Sequence, residues 1–205
     1  MYTIPRRNFA LKDLLSPLLQ NPSPVELHTR LTRHACVAII LKGQTLDDMQ
    51  IAFIQRAFNP NDRWSGQIAF PGGKREEIDE TDLAVALRET REEVGIELQS
   101  FELLGRLDDI QARKAGTLLD FYIRPFVFHI KREFGVMLDA AEVADFFWVP
   151  LKHIQDPQRQ TQYEVRREVG VAQLPAVYLD REPPLWGLTY MMVLNLLERF
   201  RGIIK

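Results

Sequence analysis

The sequence predicts an α+β fold in which short strands and a few helices pack as a sandwich. Three observations carry that reading. Strand-like apolar runs recur in short pieces, HACVAIILK at His34–Lys42 being the most apolar. Between residues 81 and 94 the apolar period switches to helical, and Gly187–Phe200 (GLTYMMVLNLLERF) repeats that pattern at the end of the chain. The chain has 205 residues, is 46% hydrophobic and 26% charged, and is therefore long enough and balanced enough for one sizeable core.

In chain order, Phe9–Leu19 is amphipathic and the breakers NPSPVE follow, so residues 1–30 read as an N-terminal arm or helix on a main domain of residues 31–205. Met49–Ala57 is expected to be the hairpin partner of His34–Lys42, because only GQTLDD separates them. NPNDRWSG is turn chemistry, and Gln67–Phe70 is a short strand stopped by Pro71-Gly72-Gly73. Further strands are expected at Glu102–Leu107, Leu118–His129 and Ala144–Val149, then a short helix at Pro150–Ile154 and late strands at Tyr163–Val165 and Ala176–Leu179.

The net charge is −2, with no dominant basic block, which argues against nucleic-acid binding. No apolar run approaches the roughly 20 residues that span a bilayer, so no membrane partner is expected. The single cysteine, Cys36, reads as a buried strand residue, and His28, His34, His129 and His153 show no zinc spacing. A cytoplasmic setting is expected.

The helical stretch places Glu89, Glu92 and Glu93 within about 100° of arc. Leu83, Leu87, Thr90 and Val94 form the expected core face, with the carboxylates converging outward. Like charges three and four residues apart cost roughly 0.2–0.5 kcal/mol per pair. Arg88 can relieve Glu92, but no helix neighbour relieves Glu89 against Glu93. A divalent cation would turn the repulsion into coordination, and hard oxygen ligands favour Mg2+ or Mn2+ over zinc. Three glutamates alone are better described as a solvated, charge-laced helix face. The Gly-Gly turn upstream changes that weighing: alone it marks only a turn, but joined at this spacing to Arg88-Glu89 and Glu92-Glu93 it becomes specific, because glycine lets backbone come close to a ligand or metal.

The run Gly73–Ile96 resembles the Nudix box, GX5EX7REUXEEXGU with U aliphatic, through Arg88, Glu89, Glu92, Glu93, Gly95 and Ile96. One extra residue lies between the first acidic position and Arg88, so either Asp79 or Glu80 fills that position, and Thr90 stands where an aliphatic residue is usual. GQIAFPGG (Gly66–Gly73) and WGLT (Trp186–Thr189) are similar to the bacterial coenzyme A pyrophosphatase branch, of whose longer upstream signature only the GxxxFPGG end is clean.

The resemblance implies a Nudix-type α/β/α sandwich with a mixed central sheet. It also implies a metal-dependent diphosphatase acting on a nucleoside diphosphate linked to another moiety, coenzyme A or an acyl derivative in the first instance. ADP-ribose, NADH and nucleotide sugars are the alternatives, and a non-catalytic nucleotide-binding domain is the third. Glu89, Glu92, Glu93 and the carbonyl of Gly73 are the implied metal ligands. Glu92, Glu93 and Glu142 are the candidate catalytic carboxylates, and Arg88 is expected to orient a carboxylate by a bidentate pair. Arg56 and Arg63 are candidate phosphate clamps, and Trp64 is a candidate for packing a base. A small-molecule diphosphate is the expected partner, with a second copy of the chain as the candidate protein partner.

Overall fold

The structure is a computed structural model describing residues 11–27, 31, 33–62, 64–114, 117–166 and 170–203. After α1 (Leu11–Gln20), the chain forms β1 (His34–Lys42), β2 (Gln50–Arg56), β3 (Ile68–Ala69), β4 (Gly72–Lys74) and α2 (Asp82–Val94). Then come β5 (Leu103–Arg106), β6 (Ile110–Lys114), β7 (Thr117–Ile130), β8 (Val143–Pro150) and α3 (Leu151–Gln155). The last elements are β9 (Gln160–Arg166), β10 (Val171–Val177), β11 (Leu185–Trp186) and α4 (Gly187–Phe200).

The continuous apolar run of β1 is explained by cover on both faces, since Cys36 and Ala38–Leu41 are fully buried. Val37, Ile39 and Leu41 face a core shared with Leu15 and Leu19 of α1 and Val193, Leu196 and Phe200 of α4. Cys36, Ala38 and Ile40 face Val85, Ala86 and Val94 of α2. The strand period of two thus separates two helical layers, which is the expected α/β/α sandwich.

The main sheet runs β3-β2-β1-β7-β5, with β4 added to β1, β6 to β7 and β8 to β2. β1 and β7 are parallel over nine residue pairs, from His34↔Tyr122 to Lys42↔Ile130. The expected hairpin is real but short, since β1 and β2 pair only at Leu41↔Ile51 and Lys42↔Gln50. Most of β2 pairs instead with β8, from Gln50↔Pro150 to Arg56↔Val143. Two strands of the main sheet escaped the sequence reading. Gly72–Lys74, read as a turn, forms β4 on Ala35–Val37, and Ile110–Lys114 forms β6 on β7. β9, β10 and β11 make a separate antiparallel sheet, larger than the two short late strands expected.

α2 begins and ends on local signals. Thr81 is extended, and its hydroxyl accepts from the Ala84 N–H at 3.1 Å. Gly95 takes a left-handed φ of 72° and its N–H closes on the Arg91 carbonyl at 3.0 Å. The extra residue is absorbed before the helix, which is α-helical throughout. Asp82 at the first turn is gripped by His34 Nε2 at 2.9 Å and Arg124 Nη1 at 2.5 Å. Arg124 in turn forks buried Asp109 at 2.9 and 2.7 Å, and His34 stacks on Tyr122 at 4.8 Å. This ionic knot fastens the start of α2 to β1 and β7. His34, Cys36 and Asp82 bring their ligand atoms within 4.8 Å of one another, a grouping the sequence reading missed. Both Asp82 oxygens are taken by His34 and Arg124, and burial pushes the Cys36 thiol far up, so the group reads as a structural pin.

Thr81→Ala removes the N-cap acceptor and is expected to destabilise the protein by about 1 kcal/mol. Thermal unfolding should show a Tm lower by roughly 2–4 °C at this chain size. An unchanged Tm would mean that the ionic knot alone fixes the helix start.

Candidate active site

The glutamates do not all project outward as expected. Glu93 is only 2% exposed, and its Oε2 accepts from the Gly72 N–H at 2.8 Å. Glu89 is largely buried, and a Cβ placed on Gly73 would collide with its carboxylate. Glu92 alone is half in solvent. The buried residues of α2 are Val85, Ala86, Thr90, Glu93 and Val94, with Leu83 and Leu87 only partly buried. The core face is therefore rotated towards the glutamates relative to the face that hydrophobicity indicates. Small Ala86 and side-chain-free Gly72 and Gly73 let the helix come close enough to press two carboxylates against the strand.

Arg88 holds the group together. Its Nε and Nη2 fork Asp79 at 3.0 Å each, Nη1 reaches Glu92 at 2.8 Å, and Nη2 also lies 3.0 Å from Glu89 and 3.2 Å from the Lys74 carbonyl. The expected bidentate pairing is thus made with Asp79 rather than with Glu80. The Arg88 fork faces protein carboxylates, which it holds in place. The fork holds the Asp79 carboxyl below its ordinary range, while Asp79 and Glu92 raise the Arg88 guanidinium.

The other two carboxyls are shifted the opposite way. Burial pushes Glu93 up to about 8 against the opposing Gly72 N–H, with Glu89 and Glu142 adding repulsion and Arg56 relieving it. Burial also raises Glu89, opposed by Arg88 and reinforced by Glu92 and Glu142. Two hard oxygen donors that each disfavour the other's charge, beside a glycine whose bare Cα leaves the approach open, fit a divalent cation.

The loop after β2 supplies the remaining candidates. Arg56 donates from Nε and Nη2 to Asp62 Oδ2 at 3.1 and 2.7 Å, so the expected phosphate clamp is tied to a loop acid while its charge still reaches Glu93. Trp64 is 38% exposed, with its backbone N–H on Asp62 Oδ1. Arg63 lies outside the described residues. Glu142 is exposed just before β8, its carbonyl accepting from the Ala57 N–H at 2.8 Å and its N–H bonded to Asp139 O at 3.0 Å. Asp139 also donates its N–H to the Glu93 carbonyl at 3.0 Å, so the Glu142 loop is stitched to the end of α2. Glu89, Glu93, Glu142 and Arg56 therefore share one electrostatic neighbourhood.

This arrangement, a Gly-Gly strand facing a glutamate-bearing helix latched by arginine, agrees with the comparisons to known proteins. The NUDIX domain family matches residues 32–169, and the chain belongs to the Nudix hydrolase family. Nudix hydrolase 3 of Caenorhabditis elegans is 27% identical over 208 residues, covering 91% of this chain and 85% of its own. The mouse protein named peroxisomal coenzyme A diphosphatase NUDT7 is 34% identical over 103 residues, covering 50% of this chain and 42% of its own. An uncharacterized Schizosaccharomyces pombe protein is 36% identical over 118 residues, and the chain spans 36% of its length. Among solved structures, a MutT/nudix family protein from Enterococcus faecalis aligns over 98% of this chain and 76% of its own, with TM-score 0.56 at 14% identity. No described helix is long and apolar enough to cross a membrane.

The raised Glu93 carboxyl has a definite stability signature in metal-free protein. Its folded pKa of about 8 lies above the ordinary 4.5, so the folded state holds a proton that the unfolded state releases between those values. Stability from this group is complete below pH 4.5 and drains away as pH rises to about 8. Glu93→Gln, which keeps an acceptor for Gly72, is expected to raise the metal-free Tm over wild type by a margin that widens from pH 5 to pH 8.5. Parallel melting curves across that range would sink the assignment.

Proposed function

We propose that the protein hydrolyses the diphosphate bond of a nucleoside diphosphate linked to another moiety, using Mg2+ or Mn2+ held by Glu89, Glu92, Glu93 and the carbonyl of Gly73. The observation that carries this reading is the pair of carboxyls, buried Glu93 and partly buried Glu89, set against Gly72-Gly73, with Glu89 latched by Arg88. Such a pair is disfavoured without a cation and supplies hard oxygen donors to one. When bound, the ion neutralises phosphate oxygens and lowers the pKa of the attacking water.

The chain's own residues supply the rest. Arg88 and Asp79 fix the carboxylates, so that the site is built before substrate arrives. Water attacks one phosphorus, the bond from that phosphorus to the bridging oxygen breaks, and the water proton passes to a carboxylate. Glu142 is our choice of base. Its side chain makes no hydrogen bond among the described residues, and its charge reaches both buried glutamates. Glu92 and Glu93 are the alternatives, but Arg88 engages the first and burial favours a proton on the second in the metal-free state.

For the substrate we favour coenzyme A or an acyl derivative, on the GxxxFPGG segment and the likeness to the mouse coenzyme A diphosphatase. Arg56 and Arg63 would then meet substrate phosphates, and Trp64 would wall the base side. ADP-ribose, NADH and nucleotide sugars are the competing substrates, and the cytoplasm is the proposed compartment.

The test is a panel of coenzyme A, 3′-dephospho-coenzyme A, ADP-ribose and NADH with each metal, both products being identified. Cleavage of coenzyme A to adenosine 3′,5′-bisphosphate and 4′-phosphopantetheine is expected, and faster cleavage of ADP-ribose would overturn the substrate. Glu93→Gln should lower kcat/KM by roughly a hundred-fold or more while circular dichroism stays native, the scale of removing a group that stabilises transition-state charge. Wild-type turnover in that variant would refute the metal assignment.

A further inference from the structure

We infer that Phe58 is the platform on which the nucleobase of the substrate stacks, an inference that rests on the proposed function for its ligand class. Phe58 is 85% exposed, and among the described residues no large hydrophobic side chain is more so. Packing against the protein does not explain it, since it is far more exposed than the neighbouring Trp64 at 38%. Mobility does not explain it either, because the loop that carries it is internally braced. The Asn59 N–H donates to Ser65 Oγ, the Asp62 N–H to Asn59 O at 3.0 Å, the Ser65 N–H to Asp62 O at 3.0 Å, and Arg56 forks Asp62. A loop braced by these bonds thus carries a bare aromatic ring in water, which costs hydrophobic free energy unless a ligand covers it.

Its place in the fold says which ligand. Ala57, the preceding residue, donates its N–H to the carbonyl of Glu142 at 2.8 Å, and Arg56, two residues back, pairs with Val143, the residue after Glu142. Phe58 is thus carried by the backbone that flanks Glu142, one of the carboxylates of the cluster, on the side from which a nucleoside would approach if its diphosphate sits on the glutamates. Met137 and Phe101 are also exposed, at 77% and 69%, but Met137 packs at Gly95, beyond the far end of α2, and Phe101 sits past that same end. A nucleobase presents a flat π face that a phenylalanine can cover without hydrogen bonds, so the contact would tolerate different bases.

Calorimetric binding with Mn2+ present separates the base from the phosphates. The probes are ADP and ribose 5-diphosphate, its counterpart without adenine. Wild type is expected to bind ADP at least roughly five-fold more tightly than the abasic probe, from the usual worth of one base stack. Phe58→Ala should remove most of that preference and leave ribose 5-diphosphate affinity unchanged. Phe58→Trp should restore it, while Phe58→Leu, apolar but without a π face, should not. The inference is overturned if wild type does not discriminate the probes, if Phe58→Leu restores as well as Phe58→Trp, or if both affinities fall together. It is also overturned if sedimentation shows Phe58→Ala dissolving a wild-type dimer, since the ring would then be covered by a second copy. Failure of the diphosphatase reading would show separately, as absence of turnover of every diphosphate by wild type.

Discussion

Helix α2 can press its carboxylates against the sheet because Gly72 and Gly73 carry no side chains. A Cβ on Gly73 would collide with the Glu89 carboxylate, and one on Gly72 would collide with the Cys36 carbonyl. With φ at 150°, Gly72 also adopts a backbone that side chains disfavour. That approach dictates much else. It makes a short strand of what sequence alone calls a turn, and it offers the Gly72 N–H to Glu93. It also carries Glu89 and Glu93 into a drier environment than an ordinary helix surface provides, which shifts both carboxyls upward.

A buried acidic pair would push the helix away if nothing held it. Two sets of arginine contacts oppose that. Arg88 spans Asp79, Glu89 and Glu92, joining the helix to the loop before it. Arg124 joins the first residue of α2 to Asp109 beyond β5. The second lies among largely buried partners, where removing one member strands a charge, so it fixes position more than it adds net stability. The first has Glu92 half in water and leaves the glutamates' rotamers less constrained. The helix is thus anchored firmly at its N-terminus, and the side chains that would change partners sit a turn or more further on.

Much of this was legible in the residues. Thr81 and Gly95 bracket the helix by capping chemistry that is local, and the repulsion among Glu89, Glu92 and Glu93 follows from spacing alone. What stayed hidden depended on distant partners. The inward aim of Glu93 could not be read from hydrophobic periodicity, which assigns charged residues to the outside. Only contact with Gly72, 21 residues away, makes its burial tolerable. The parallel pairing of β1 with β7 joins segments nearly ninety residues apart, whereas the adjacent hairpin, which local spacing does predict, contributes two pairs. His34 and Asp82 were likewise invisible as a pair, because a strand and a helix cap separated by 48 residues share no pattern. Choosing Asp79 over Glu80 required the geometry of the Arg88 fork.

The electrostatics also constrain the order of events under the proposed function. A diphosphate brought to Glu89 and Glu93 without a cation would meet like charge, raising both carboxyls further and favouring protons on them. A cation at the same oxygens reverses both effects, favouring the carboxylates and attracting the phosphates. Cation and diphosphate therefore favour each other's binding, and by linkage the coupling is the same in either order. The raised Glu93 adds a proton to that linkage. Loading a cation on a carboxyl that holds its proton up to about pH 8 must release the proton, so affinity for the cation falls as the solution is acidified. The close approach of α2 to the sheet, which buries Glu93, is thus the same feature that couples proton, cation and substrate at one site under this proposal.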